Sequence, residues 1–271
     1  MKRITLPEFE DLHWLPDIIR SGVTNLIVVF HRLMGTPVVI AGLISKLAEN
    51  GSFKRIVDLG SGSGGPMPEV IRKINSLNPG MPFQLLLTDL HPNQKLIREI
   101  NESGSDTLSY HNLPVDATNL SEAPKGLKTM IASFHHMDPA IAKDILRSAQ
   151  DTKDSILIYE ITKNNIPVVL WALFLPISLA LLVLMSLIMT PFVRPFTFRQ
   201  FLFTYIVPVI PLVYAWDGQA SAMRTYTFDD IRELLDRREN DDYTWEIGEA
   251  KKGNGKNVGY YVMGFPGKPK E

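Results

Sequence analysis

The stretch IVDLGSGSGGP, residues 56–66, runs from two strand-forming positions, Ile56 and Val57, into an acid, Asp58, and then into Gly60, Gly62, Gly64 and Gly65. Glycines let the backbone approach a ligand without side-chain clash, and a helix that starts there presents its N-terminus to electron-rich groups. Gly60, Gly62 and Gly65 also satisfy G-x-G-x-x-G, so the glycines alone leave nicotinamide enzymes and other nucleotide binders both open. Outward from this loop, short apolar runs alternate with helical stretches, the mark of a parallel sheet built from βαβ units. The strands expected are 55–60, 83–90, 108–113, 129–135 and 155–162. Helices are expected over 68–76, 93–102 and 139–150, with two more, 16–34 and 37–49, ahead of the sheet. A helix opened by Thr227 and two strands, 244–251 and 258–265, joined by a Gly253–Lys256 turn, close the series.

Asp58, Asp89 at the end of the second strand and VDATNL (115–120) after the third stand in register on three successive strand ends. With the closing hairpin, which does not suit a nicotinamide-binding half, they resemble class I S-adenosylmethionine-dependent methyltransferases over about residues 54–162 and 217–265. The resemblance implies a Rossmann-like α/β fold: a mostly parallel seven-stranded sheet, helices on both faces, and here an apolar helical insertion after the fifth strand. It implies S-adenosylmethionine as cofactor, its amino acid part wrapped by Asp58, Gly60, Ser61, Gly62 and Gly64. Asp89 with Leu90 would take the ribose, Asp116 with Ala117 would border the adenine, and Ser133 and Phe134 would complete the contacts. The segment DGQASAMRTY (217–226) resembles a D-G-x-x-S-x-x-R-x-Y stretch that precedes the last helix in bacterial members.

SFHHMDP (133–139) falls at the end of the fourth strand, where the family places residues near the transferred methyl. An imidazole there can take a proton from an acceptor at neutral pH, which makes His135 or His136 the candidate base. On a continuing strand the two rings would point to opposite faces, so both line one pocket only if the strand has ended. Asp217, Arg224 and Tyr226 are the candidate acceptor-orienting groups. Six scattered histidines without cysteine and without two-His helical spacing point to no metal site.

Residues 164–193 carry no charge over thirty positions, and 200–216 form a second uncharged run after Arg194 and Arg199. About 20 apolar helical residues cross a bilayer core, so either run is membrane-seeking. Both flanks belong to one sheet, which allows an even number of crossings or none. The positive-inside rule disfavours carrying the basic tip across, and Pro167, Pro176 and Pro191 are expected to break the first limb, as Pro208 and Pro211 break the second. The expectation is a hairpin dipping into the cytosolic leaflet, with a lid, an apolar substrate tunnel or a homodimer interface as the alternatives. The expected division is 1–53 as capping helices, 54–163 with 217–271 as catalytic domain, and 164–216 as membrane-associating insertion. A net charge of −1 among 271 residues gives no basic field for nucleic acid. MKRITLPEFEDLHWLPDIIR lacks the apolar core of a secretory signal, so the catalytic part is expected at the cytoplasmic face of a membrane, acting on an apolar or lipid-like acceptor.

Overall fold

The structure, a computed structural model, describes residues 1–50, 53–77, 80, 82–235 and 242–267. In chain order, helices α1 (Asp17–Met34) and α2 (Thr36–Asn50) precede β1 (Arg55–Asp58), α3 (Met67–Leu77), β2 (Gln84–Leu87), α4 (Gln94–Asn101) and β3 (Leu108–Tyr110). Then come β4 (Leu127–Ile131), α5 (Pro139–Thr152), β5 (Ile156–Glu160), α6 (Val168–Met189), α7 (Phe198–Phe201), α8 (Val209–Arg224), α9 (Phe228–Leu234), β6 (Tyr243–Lys251) and β7 (Asn257–Pro266). These divide into two compact units, one of residues 35–161 and 228–271, the other of 1–34 and 162–227.

The first unit holds a seven-stranded sheet in the order β3-β2-β1-β4-β5-β7-β6. The strands β1 to β5 pair in parallel, and β7 enters antiparallel between β5 and β6. Every residue of β4 and of β5 is buried, the polar ones included, with the Lys128 ammonium of β4 donating to the Pro124 and Gly126 carbonyls at 2.8 and 3.2 Å. Met67, Val70, Ile71 and Ile74 repeat at helical spacing on α3 and join Ile40, Ile44 and Leu47 of α2 over Ile56, Leu85 and Leu157 of the sheet. The Asn93 side chain accepts from the amides of Lys95 and Leu96 and so starts α4. Pro139 occupies the first turn of α5, and Lys153 in the left-handed region ends it.

The strand ends correct the sequence reading where it matters for function. Strand β4 runs over 127–131, not 129–135, because Ala132 takes φ +53° and Phe134–His136 form a single 3-10 turn. Strands β1 and β2 likewise stop at Asp58 and Leu87, before the expected 60 and 90. Residues 264–266 complete β7, and 268–271 lie outside the described residues.

The second unit is helical and gathers α1, α6, α7 and α8. Leu15, Ile19, Val23, Leu26 and Val29 of the N-terminal segment and α1 bury against Met189, Val193, Ile210, Val213 and Tyr214. At Gly22 a Cβ would come within 2.3 Å of Ile210 Cδ1, so the glycine is what lets α8 approach α1. Two expectations are corrected here. Pro176 lies inside α6 without ending it, leaving a continuous helix of 22 residues. The break falls in the second limb: α7 and the π turn that follows it (Leu202–Ile206) meet α8 at 77° across Val207 and Pro208. The division of the chain also differs from 1–53, 54–163 with 217–271, and 164–216. Helix α2 belongs to the sheet unit through Ile40, Ile44 and Leu47, whereas α1 and residues 217–227 belong with the apolar segment.

Candidate active site

The carboxyl end of β1 is built around Asp58, which is 3% exposed. Thr129 Oγ1 donates to its Oδ1 at 2.6 Å and Ser61 Oγ to its Oδ2 at 2.7 Å, while Thr88 Oγ1 donates to its backbone carbonyl at 2.8 Å. Burial pushes the Asp58 carboxyl up to about 7, with the two hydroxyl donors opposing the rise. Its side chain is therefore spent on tying β1 to β4 and to the first turn of the loop. Asp89, beyond the end of β2, holds the next turn: its Oδ2 accepts from the Gly62 amide at 3.0 Å and its Oδ1 from the His91 amide at 2.8 Å. The Tyr110 hydroxyl donates to the Gly62 carbonyl at 3.0 Å.

Between these anchors Gly60, Gly62, Gly64 and Gly65 all have positive φ, a conformation costly for other residues. A Cβ at Gly60, Gly62 or Gly65 would meet nothing within 4 Å, so the loop borders open space at the sheet edge. Leu90 and Leu113, at the ends of neighbouring strands, are 49% and 61% exposed, apolar surface of the kind a planar base covers. Asp116 is exposed, its Oδ1 accepting from the amide and hydroxyl of Thr118, and Ala117 follows in the same turn. The residues present thus fit a nucleoside cofactor at the carboxyl ends of β1, β2 and β3. Ser133 is half-buried and Phe134 is fully buried, so the Phe134 ring packs in the core and offers no face to a ligand.

The turn after β4 brings both histidines together, with ring centroids 4.3 Å apart. The early end of the strand is the reason; on a continued strand the rings would diverge. His135 is 4% exposed and His136 half-buried. Glu160, the last residue of β5 and 1% exposed, accepts from the His135 amide at 3.0 Å through Oε1 and from His135 Nδ1 at 2.9 Å through Oε2. Glu160 escaped the sequence reading, although an acid closing the otherwise apolar run ILIYE was its signal. Thr88, Tyr110 and Thr129 were missed as well, because they act through loop geometry that no spacing in the sequence reports.

Asp217, Arg224 and Tyr226 lie in the helical unit, each engaged within it. Asp217 accepts from the amides of Phe9 and Glu10 at 2.7 and 3.2 Å. Arg224 pairs with Glu8 at 3.3 Å and with Asp11, and Tyr226 is 1% exposed beneath the Arg3 guanidinium. They bind the N-terminal segment 3–12 to the end of α8.

No protein-family model and no curated protein matches the sequence. Among solved structures, the chain is similar to the plantazolicin methyltransferase BpumL in complex with SAH, at 13% identity and a TM-score of 0.51, covering 93% of this chain and 98% of that one. The same enzyme with a pentazolic desmethylPZN analog and SAH gives 13% identity and a TM-score of 0.50, over 93% and 99% of the two chains. With its strand order and antiparallel β7, the chain has the Rossmann-like fold of class I S-adenosylmethionine-dependent methyltransferases.

Proposed function

We propose that this protein is an S-adenosylmethionine-dependent methyltransferase that works at the cytoplasmic face of a membrane and methylates an apolar or lipid-like acceptor. The observation that carries the catalytic part is the open cradle of Gly60, Gly62 and Gly65, pinned by Asp58 and Asp89 at the edge of a methyltransferase-type sheet. The structural neighbours' complexes with SAH support the same cofactor. When bound, the cofactor supplies a methyl group already activated on a sulfonium, so the protein's work is alignment, exclusion of water and handling of one proton. The loop amides and Asp89 would hold the cofactor, Leu90 and Ala117 would border its base, and His135 or His136 would receive the proton. Asp217, Arg224 and Tyr226 retain the acceptor-orienting role only through the segment they brace.

The membrane part rests on α6. It is about 33 Å long by helical rise, carries no charge, and exposes Val169 (78%), Leu173 (67%), Ile177 (60%), Leu181 (60%) and Ile188 (61%) along one stripe. Phe192, Phe198 and Ile206 continue that surface beyond it. Water does not sustain so large an uncharged patch on a monomer, whereas a leaflet does. Thr162 and Thr227 both lead in sequence to the sheet unit, so the segment enters and leaves the lipid on one side, and the basic tip at Arg194 and Arg199 favours dipping over a spanning hairpin. Two experiments test the reading. Calorimetry should give one saturable S-adenosylmethionine site, weakened at least tenfold by Asp89→Ala; absence of binding by the intact protein refutes the catalytic part. Flotation with phospholipid vesicles should carry the protein to the lipid layer; a protein that stays below as a detergent-free homodimer would assign the α6 surface to self-association.

A further inference from the structure

Helix α2 and the β6–β7 hairpin flank a groove of about 570 Å³ within the sheet unit, a volume in the range of small-molecule sites. Its apolar lining is Val38, Val39 and Leu43 on α2 and Tyr261 on β7, and it follows α2 from Val38 to Lys46, about 12 Å by helical rise. Gly42 lines it too, inside α2, where glycine destabilises a helix relative to alanine. Packing does not call for this glycine: its φ is not left-handed, and a Cβ there would meet nothing within 4 Å. What the missing side chain leaves is room in the wall of the groove.

The charges around the groove do not cancel. Lys46 is held by Glu246 at 2.6 Å and Lys251 by Glu249 at 3.1 Å, whereas among the described residues no carboxylate pairs with Lys252. The Lys252 side chain reaches instead to the start of α2, where a Cβ at Gly35 would lie 3.2 Å from its Nζ. A helix N-terminus carries partial positive charge, so this is an unfavourable place for a cation until an anion joins it. We propose that the groove binds an apolar carboxylate of the fatty-acid type, its chain on Val38, Leu43 and Tyr261 and its carboxylate on the Lys252 ammonium. A carboxylate carries one charge, as does the unmatched ammonium, whereas a phosphate monoester carries close to two. In the strand order β1-β4-β5-β7 the groove stands three strand spacings, about 14 Å, from the strand that leads into the glycine loop, so its ligand is a second molecule and not the cofactor. Binding here is independent of the methyltransferase reading.

The test is photo-cross-linking of the intact protein with decanoate that bears a diazirine in its chain, followed by peptide mapping. Label should fall in residues 35–46 and 251–261, and unlabelled decanoate should displace it at least tenfold better than 1-decanol or decyl phosphate. Gly42→Leu, which fills the groove, should lose about tenfold of this label and melt no lower than wild type, and Lys252→Gln should lose about as much. Lys252→Gln decides alone if the leucine variant does not fold. Label confined to residues 168–206, which would put the probe on the α6 surface, overturns the proposal, as does label unchanged in Lys252→Gln or equal displacement by 1-decanol. Equal displacement by decyl phosphate overturns the choice of a carboxylate.

Discussion

Ala132 shows how one residue redirects a strand. Its φ of +53° is a conformation that costs a non-glycine residue about 1–2 kcal/mol, and it persists because β4 and the 3-10 turn on either side fix it. Ala132→Gly should therefore raise stability by about 1 kcal/mol in urea unfolding, and a loss of stability would contradict the strain. The same scale carries a pH dependence. Glu10 is pushed from its ordinary 4.5 up to about 8 by burial and by the neighbouring Asp217 and Glu8 carboxylates, and Asp217 rises to about 7 for the first of those reasons. The folded chain thus keeps protons that the unfolded chain gives up above pH 4–5. Stability is full below that range and falls as pH rises toward 8. Thermal unfolding should show this decline, and Glu10→Gln, which keeps the shape of the protonated acid, should flatten it; an unchanged slope contradicts the assignment. The acids on the strand ends, Asp58 and Asp89, were legible in the sequence because strand and glycine loop fix where they fall. Glu160 and the bracing role of Asp217 and Arg224 were not, since their partners lie 25 to more than 200 residues away.

At the scale of elements, β5 and β7 approach closely where Glu160 sits. A Cβ at Gly259 would lie 2.2 Å from the Glu160 carbonyl oxygen, at a φ of +138°. Gly259→Ala should cost about 2–3 kcal/mol in urea unfolding; a variant of wild-type stability would mean that the strands can part there without loss. Strands β1, β2, β4 and β5 were legible as elements because buried parallel strands are rich in apolar residues, but their ends were read too long by two to four residues, since the sequence does not report where pairing stops, as at Ala132 after β4. Helix α6 teaches the opposite lesson. Pro176 was expected to break it, yet the helix continues past the loss of one backbone hydrogen bond. Its exposed stripe gives a sharp test. Leu173→Glu with Leu181→Glu touches only exposed positions, so the fold should survive, while each buried charge in lipid costs about 2–3 kcal/mol. Vesicle flotation should fall by at least tenfold; flotation equal to wild type would show that α6 does not enter the leaflet.

For the whole molecule, one chain alternates between a sheet unit that carries cofactor-binding geometry and a helical unit that carries the apolar surface, changing over at residues 34/35, 161/162 and 227/228. The apolar segment is therefore part of a folded unit with its own core, Leu15 to Val29 against Met189 to Tyr214, and not a loop hung on an enzyme. That partition was only half legible: charge and apolarity marked 164–216, but the recruitment of α1 and of residues 217–227 depends on tertiary packing at Gly22 and Ile210. Under the proposed function, a methyltransferase whose helical unit enters the leaflet should act on what the leaflet holds. The most direct measurement is incubation of the intact protein with vesicles of a total lipid extract and methyl-labelled S-adenosylmethionine, followed by flotation and mass analysis of the lipid layer. The account predicts label in an apolar lipid of the floated fraction, lost with Asp89→Ala and with Leu173→Glu/Leu181→Glu. Label confined to water-soluble products, or none at all from a protein that binds the cofactor, would contradict it.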